Sequence, residues 1–309
     1  MTAIPQVESL TVKAIYDAYA ASVKVYDSLG ISVGIAGTEC DRALWYTFRL
    51  ASNQRVPEGR NVSIFRTGDM WETRLVQDLE AIGAEVWGSQ DRIRLLSGHV
   101  RGKRDGAALG IPEAPKTEHL CEFKSSKDDD FRKIKKDKCA KAKPLHYAQC
   151  QLGMHAFGLD RALYLVVNKD TDERYAERIK YDAEYTLRMI ARLERIINLQ
   201  SPPSRISENP EFFGCMFCDH KDTCHGSEWA RVTCRSCLHS TPEMGGDGHW
   251  SCARFHKPLS FDEQKQACPS HLYIPDLVHG RQIDVDEENE TITYEMKDGT
   301  AYVDGATNA

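Results

Sequence analysis

The spacing of the last seven cysteines restricts the folds open to this chain more than any other feature. The chain has eleven cysteines in 309 residues, and seven of them follow residue 214. No apolar leader is visible at the N-terminus, so we expect an intracellular protein, in which clustered cysteines bind metal more often than they form disulfides. One Cys-x2-Cys pair is followed by two single cysteines, the pattern of a structural zinc ribbon: Cys234, Cys237, Cys252 and Cys268.

This zinc-binding module, predicted for residues 229–276, has too few apolar residues to fold alone, so bound Zn²⁺ would supply folding energy. If one cysteine is not a ligand, nearby histidines could replace it: His239, His249 and His271. A second group supplies three thiolates in one short loop, one ligand fewer than a tetrahedral ion or a cluster needs: Cys215, Cys218 and Cys224.

Composition and charge limit the classes of partner. The apolar fraction of 41% and the charged fraction of 28% are typical of a soluble globular protein. No apolar run approaches the ~20 residues of a membrane span. The net charge is -6, yet residues 277–309 form an acidic tail, and Lys127 to Lys143 contains eight Lys or Arg against four Asp. That basic stretch could neutralise phosphates or simply form a solvated face.

The order of hydrophobic patterns predicts an α/β fold, a mixed central sheet flanked by helices, with a small cysteine-rich metal-binding module at the C-terminal side. The predicted helices are Glu8–Leu29, Thr38–Leu50, Thr67–Ile82, Lys143–Gly158 and Ala176–Leu199. The predicted strands are Ala84–Trp87, Ile93–Ser97, His99–Arg104, His119–Lys124 and Ala162–Asn168, the last of them a buried strand of the parallel type. Asp298-Gly299 is a turn signal that predicts a hairpin in the tail.

Two acids and an amine form the main candidate site. Asp105 lies between glycines, in Gly102-Lys-Arg-Asp-Gly106, and Glu122 and Lys124 lie two residues apart on a predicted strand. Side chains on a strand alternate between its faces, so Glu122 and Lys124 point the same way. Such a group can hold Mg²⁺ and position a water. An acid-x-Lys triplet occurs four times in the chain, so the triplet gains meaning only from its surroundings.

Those surroundings resemble the PD-(D/E)xK nuclease superfamily, in particular its RecB-type and lambda-exonuclease-like branch, over residues 35–225. Val100-Arg-Gly-Lys-Arg-Asp-Gly106 is similar to the G-x-x-D strand of that branch, and Glu122-Phe-Lys124 is similar to its E-x-K strand. The segment from His146 to Met154 is similar to its Q-x-x-x-Y helix, although Gly153 stands where the tyrosine would follow Gln149.

The resemblance implies a role for each of these residues. Asp105, Glu122 and the Phe123 carbonyl would bind Mg²⁺ or Mn²⁺, and Lys124 would orient water or stabilise charge on the phosphate. Glu72 would support the water network or a second metal. Gln149 would position water or phosphate, with Gln151 as the alternative glutamine. The nuclease domain would cover residues 1–228.

The same resemblance implies a fourth ligand for the cysteine group Cys215, Cys218 and Cys224. RecB-like enzymes with a [4Fe–4S] cluster carry that ligand far upstream, and Cys40 occupies a matching place. The alternative is zinc, held by the same four cysteines or by three of them with His220 or His225.

The expected function is a metal-dependent nuclease that hydrolyses DNA, acting as an exonuclease in recombination, repair or DNA degradation. The contrasting interpretation is a non-catalytic nucleic-acid-binding or assembly protein that retains the nuclease fold. DNA, single- or double-stranded, is the expected partner, and a homo-oligomer or a recombination partner protein could join it. We expect the protein in the cytoplasm, or in the host cytoplasm if it is phage-encoded.

Overall fold

The computed structural model describes residues 9–24 and 26–305. Its α-helices are α1 (Leu10–Ala21), α2 (Asp41–Phe48), α3 (Gly59–Ala81), α4 (Asp128–Ala142), α5 (Pro144–Phe157), α6 (Ala183–Asn198), α7 (Phe213–Met216), α8 (Lys221–His225) and α9 (Phe261–Lys265). Its first eight strands are β1 (Ile31–Ser32), β2 (Glu85–Trp87), β3 (Arg92–Leu95), β4 (Val100–Lys103), β5 (Gly106–Leu109), β6 (His119–Ser126), β7 (Arg161–Asn168) and β8 (Arg174–Lys180). The remaining strands are β9 (Ser240–Pro242), β10 (Trp250–Cys252), β11 (Lys257–Leu259), β12 (Gly280–Asp286), β13 (Thr291–Met296) and β14 (Ala301–Asp304).

A five-stranded mixed sheet lies at the centre of the fold, in the order β2-β5-β6-β7-β8. β6 and β7 run parallel, and the other neighbouring pairs are antiparallel. Apolar residues of α3, including Leu75 and Leu79, cover the face that carries Phe123. Apolar residues of α4 and α5 cover the opposite face. The predicted α/β class, with a mixed sheet between helices, is therefore confirmed.

The largest apolar cluster joins the two ends of the chain. It contains Trp45 of α2 and Ile196 of α6, and also Trp250 of β10 and Tyr294 of β13. Trp45, Trp250 and Tyr294 are completely buried. Residues after 228 thus share a core with α2 and α6. The limits predicted at residues 228 and 276 fall within this shared core, and the division into three parts stays a prediction.

Several predicted boundaries were wrong. The helix predicted from Ala176 to Leu199 is a strand, β8, followed by a shorter helix, α6. β8 pairs with β7 along its whole length. The Asp182 side chain then caps α6 by accepting a hydrogen bond from Tyr185 N–H. Pairing with a neighbouring strand therefore overrode the local helical pattern. The sequence reading also missed β5.

The N-terminal helices differ from the prediction as well. α1 ends at Ala21 instead of Leu29, and the predicted first residue, Glu8, lies outside the described residues. Thr38 does not open α2, because Cys40 is the N-cap residue and its side chain makes no capping hydrogen bond. α3 begins at Gly59, well before the predicted start. The N-terminal segment in which no leader was visible, residues 1–8, is also not described.

The acidic tail forms an antiparallel sheet of β12, β13 and β14. The predicted turn at Asp298-Gly299 connects β13 to β14, and Gly299 has φ +81°, a conformation that favours glycine. The predicted hairpin is confirmed and extended by a third strand. Across residues 9–24 and 26–305, the helices are all too short or too polar to cross a bilayer.

Candidate active site and cysteine clusters

A bend between β4 and β5 positions Asp105. The chain leaves β4 at Lys103 and enters β5 at Gly106, so Asp105 lies at the corner, next to the middle of β6. Its Oδ2 atom accepts a hydrogen bond from the backbone N–H of Phe123, at 2.7 Å. This bond fixes the carboxylate against the peptide that separates Glu122 from Lys124.

Glu122 and Lys124 lie on β6 and point to the face covered by α4 and α5, while Phe123 points to the α3 face. Glu122 is 2% exposed. The Lys124 ammonium contacts Glu122 Oε1, lies 3.9 Å from Asp105 Oδ2 and donates a hydrogen bond of 3.1 Å to the Phe123 carbonyl. A cation thus lies among the three groups predicted to bind metal.

Burial and neighbouring charges shift the proton affinities of this pair. Burial raises the pKa of Glu122 to about 7, the Lys124 ammonium opposes that rise, and Asp105 adds to it. Burial by itself would lower the pKa of Lys124, but the Glu122 and Asp105 carboxylates raise it above its ordinary value. The lysine therefore stays charged, and Glu122 can exchange a proton near neutral pH.

Glu72, on α3, lies within electrostatic range of the same site. Burial raises its pKa, Asp105 raises it further, and Lys124 lowers it. Gln90 Nε2 lies 3.4 Å from Glu72 Oε1 and donates to it, and Lys103 Nζ donates to Gln90 Oε1 at 3.1 Å. The structure therefore brings Glu72 together with the two strand acids at the same end of the sheet.

The two glutamines of α5 have different surroundings. Gln151 is completely buried, and its amide bonds the Lys180 carbonyl (2.9 Å), the Asp182 N–H (2.8 Å) and the Thr186 hydroxyl (3.3 Å). These bonds join α5 to the start of α6, so Gln151 has a structural role. Gln149 is only partly buried and its Oε1 lies beside Gly34. Gln149 therefore stays the candidate for the active site.

Gly153 explains why the tyrosine of the related motif is missing. A Cβ atom at this position would lie 2.6 Å from Leu120 Cδ2, so any larger residue would require the buried Leu120 side chain to shift. α5 packs against β6 at this point, so close helix–sheet packing replaces the aromatic residue.

His146 is a site residue that the sequence reading missed. Its Nδ1 atom lies 2.7 Å from the Tyr164 hydroxyl, on the strand that pairs with Glu122. Burial lowers the pKa of His146 to about 4, and the Lys124 charge contributes to the shift. The sequence feature that could have identified His146 is its position three residues before Gln149, because this spacing places both residues on one side of α5.

The basic stretch forms α4, which buries Phe131 and Ile134 and exposes its lysines. Several of these cations pair with acids, among them Arg132 with Asp128 and Lys141 with Asp137. Exposed pairs of this kind are weak and can be exchanged for phosphate contacts. The helix follows directly after β6, so its basic surface begins close to the candidate site.

The cysteine group completed by Cys40 meets at one small cavity, despite a separation of more than 170 residues along the chain. This cavity is lined by Cys40, Cys215, Cys218 and Cys224, together with His220 and His225. Burial raises the pKa of Cys215 and of Cys218. Both ring nitrogens of His220 are engaged, with the Thr47 and Ser52 hydroxyls at 2.9 Å each, so His220 is a poor replacement ligand.

The zinc-ribbon cysteines are also brought together, with Cys234 in electrostatic range of Cys237, Cys252 and Cys268. Backbone hydrogen bonds connect their segments: Cys234 N–H to the Gln266 carbonyl (2.6 Å), Leu238 N–H to the Leu272 carbonyl (2.7 Å) and Ala253 N–H to the His239 carbonyl (2.8 Å). Burial raises the pKa of Cys234 to about 11. His271 is hydrogen-bonded to Ser236, at 3.4 Å.

All eleven cysteines are free thiols. In the described part of the chain, no three Cys, His, Asp or Glu side chains are already arranged as a metal site. Both cysteine groups nevertheless have the chemistry that soft metals need, four thiols each on segments that already lie together. Cys121, Cys139 and Cys150 are buried outside both groups.

No protein-family model matches the chain, and no curated protein matches it significantly. Among solved structures, a protein designated SSO0001 is 15% identical at a TM-score of 0.42, with 72% of this chain and 100% of that chain covered. The complex of LHK-Exo with dAMP is 15% identical at a TM-score of 0.39, with 58% and 89% covered. The alkaline exonuclease LHK-Exo from Laribacter hongkongensis is 14% identical at a TM-score of 0.40, with 60% and 90% covered. These similarities are too remote to assign a function to the chain. The assignment has to rest on the chemistry of the site.

Proposed function

We propose that this protein is a metal-dependent nuclease that hydrolyses DNA phosphodiester bonds. The observation that carries the proposal is the convergence of Asp105, Glu122 and Lys124 around the Phe123 peptide, where the bend between β4 and β5 meets β6 of a mixed sheet. Two carboxylates and an amine at one buried corner have no evident structural need, since a buried ion pair contributes little net stability. They are, however, the groups that metal-assisted phosphodiester hydrolysis requires.

The oxygens at this corner fit a small divalent cation. Asp105, Glu122 and the Phe123 carbonyl already surround a positive charge, the Lys124 ammonium, and hard oxygen ligands are those that Mg²⁺ or Mn²⁺ prefers. A bound Mg²⁺ would polarise the scissile phosphate and lower the pKa of a coordinated water.

The remaining groups would position water and DNA and stabilise the negative charge on the phosphate. Lys124, released from the two acids, would turn toward the phosphate and stabilise negative charge on its oxygens. Glu72 lies at the same end of the sheet and would hold a water in place through its hydrogen-bonding network with Gln90. Gln149 would contact water or phosphate, and the exposed lysines of α4 would hold the DNA backbone.

We further propose membership of the RecB-type and lambda-exonuclease-like branch of the PD-(D/E)xK nucleases, with exonuclease action. The order of the motifs supports this, since the Asp105 corner, the Glu122-Phe-Lys124 strand and the α5 helix follow one another as in that branch. Three linear or circular substrates test it: DNA blocked at the 5′ end, DNA blocked at the 3′ end, and closed circles. An exonuclease degrades only DNA with an accessible end, and cleavage of closed circles at the same rate contradicts this assignment.

The first cysteine group, with Cys40, would hold a [4Fe–4S] cluster or zinc. Its four thiols line one cavity, and a centre there would tie α2 to the loop around α7 and α8. Purification without oxygen distinguishes the two metals. A brown protein containing iron and sulfide, whose colour is lost in Cys40→Ser, supports the cluster. A colourless protein that contains zinc and no iron at this group rejects it.

The alternative function is a nucleic-acid-binding protein without catalysis. The basic surface of α4 would serve equally well for binding alone. The two functions differ in one assay, Mg²⁺-dependent cleavage of linear DNA. A wild-type protein that binds DNA but cleaves neither DNA nor RNA, with Mg²⁺ or Mn²⁺, excludes the enzyme.

A further inference from the structure

Two arginines are buried where the cysteine-rich segment packs against the end of α2, and one of them, Arg49, lies within electrostatic range of Cys237. Arg49 follows the end of α2 and is 0% exposed, and Arg235 lies between Cys234 and Cys237 and is 1% exposed. Their hydrogen bonds go to uncharged oxygens, which belong to backbone carbonyls, the amides of Gln200 and Gln264, and the Ser240 hydroxyl.

Neither guanidinium has an acid as its partner in the part of the chain that the structure describes. Asp27 lies near enough for its charge to act on Arg235, but its carboxylate pairs with Arg231. Both guanidiniums also lie against the Trp250 ring, at 4.9 Å and 5.0 Å from its centroid. Two positive charges are therefore enclosed against one aromatic ring, and the nearby acid Asp27 is already paired with Arg231.

The two arginines also interlock the module with the nuclease core. Arg49 donates to the carbonyls of Arg235 (3.3 Å) and Ser240 (3.2 Å), both in the cysteine-rich segment. Arg235 donates in return to the Phe48 carbonyl at 3.1 Å, at the end of α2. Such hydrogen bonds reduce the free-energy cost of burying each guanidinium. Because the acceptors are uncharged, the positive charge itself remains unbalanced.

A metal bound by the four cysteines supplies the missing charge. When a divalent ion replaces four thiol protons, the centre it forms carries a net charge of 2−, opposite in sign to the Arg49 guanidinium. Four neutral thiols provide no such balance. Coulomb attraction between buried groups is strong, because the surrounding protein screens it weakly.

We propose that Cys234, Cys237, Cys252 and Cys268 bind one zinc ion as a tetrathiolate, whose negative charge is the counter-charge of Arg49. The centre thereby fastens the cysteine-rich module to α2. This site is separate from the proposed nuclease site and does not depend on its activity.

Metal analysis of the purified full chain tests the site itself. We expect one equivalent of zinc that is retained in Cys215→Ser and in the control Cys139→Ser, and lost in Cys234→Ser/Cys237→Ser. Cobalt replacement should give the visible bands of a tetrahedral thiolate site. If the double variant does not fold, the wild type decides, because it must melt at a lower temperature once a chelator has removed the zinc. A wild type without this zinc, or a double variant that keeps it, overturns the proposal.

The counter-charge is tested by Arg49→Met, which replaces the guanidinium with an uncharged chain of similar length. We expect its zinc dissociation constant, measured by chelator competition, to rise about tenfold or more. Without metal, Arg49→Met should melt at or above the metal-free wild type, because a buried unpaired charge is gone. The exposed Arg188→Met is the control and should change neither value. Zinc affinity that is unchanged in Arg49→Met contradicts the charge pairing.

Discussion

The Asp105 carboxylate accepts a 2.7 Å hydrogen bond from the backbone N–H of Phe123. This one bond brings the bend after β4 into register with β6, although 18 residues separate the two positions. The same carboxylate oxygen lies 3.9 Å from Lys124 Nζ. The candidate site is therefore built from β6, which supplies Glu122, Lys124 and the Phe123 N–H, and from the Asp105 side chain at the bend between β4 and β5.

Glu122→Gln should lower Mg²⁺-dependent DNA cleavage about 100- to 1,000-fold, because an amide replaces a charged metal ligand at nearly constant volume. The chain offers a matched control in Glu295→Gln, which alters the acid of another acid-x-Lys triplet, on β13, where Glu295 pairs with Arg281. Initial rates on linear duplex DNA provide the measurement. Equal losses in the two variants, or none in Glu122→Gln, contradict the assigned site.

Lys124→Met should destabilise the protein by about 3 kcal/mol at pH 8, because it leaves the Glu122 carboxylate buried without its partner. The pKa of Glu122 is already raised to about 7. The Lys124 ammonium opposes that rise, so Glu122 should take up its proton at a higher pH in Lys124→Met than in the wild type, and the loss should shrink as the pH falls from 8 toward 7.

Urea unfolding of the single variants and of Glu122→Gln/Lys124→Met completes a double-mutant cycle for this pair. The double variant should recover most of the stability, since no buried charge remains. Losses that simply add would mean that the two side chains do not interact in solution.

Gln149→Ala and Gln151→Ala should affect different properties of the protein, the rate of cleavage and the stability respectively. Gln151 makes three hydrogen bonds at the α5–α6 junction, so its removal should lower the free energy of unfolding by about 2–3 kcal/mol. Gln149→Ala should leave stability within about 0.5 kcal/mol and lower the rate of cleavage. Thermal melts and cleavage rates of both variants separate the two roles, and the reverse pattern would assign the active-site role to Gln151.

His146 should make the protein sensitive to acid. Its pKa in the fold is about 4, below the value of ~6.5 expected when unfolded, so the unfolded chain binds the proton more tightly. The stability contributed by the neutral ring is complete above pH 6.5 and is lost as the pH falls toward 4, by at most about 3 kcal/mol.

The measurement for His146 is the free energy of unfolding between pH 7 and pH 4, compared with His146→Asn. An asparagine can still bond the Tyr164 hydroxyl but does not titrate, so the slope in this interval should decrease. The exposed histidine variant His256→Asn serves as the control and should keep the wild-type slope. Identical slopes in all three proteins would show that His146 is not buried as a neutral ring.

Strand and helix positions near the candidate site could be predicted from sequence because local patterns dominate there. The run from Ala162 to Asn168 is apolar throughout, which is typical of a strand covered on both faces, and it pairs in parallel with β6. The prediction failed at residues 176–180, where the periodicity resembled a helix. Only the hydrogen bonds to β7 make that segment a strand, and those bonds involve residues distant in sequence.

Local sequence patterns identify the residue types of the candidate site and the spacing of the cysteines, because turn residues, strand alternation and ligand spacing are local properties. The packing of the whole fold determines which of these residues meet. It placed Cys40 in the cavity of Cys215, Cys218 and Cys224, and it engaged Gln151 at a helix junction. It also buried Arg49 and Arg235 together. Such encounters depend on how helices pack on sheets, and a single sequence does not encode that packing locally.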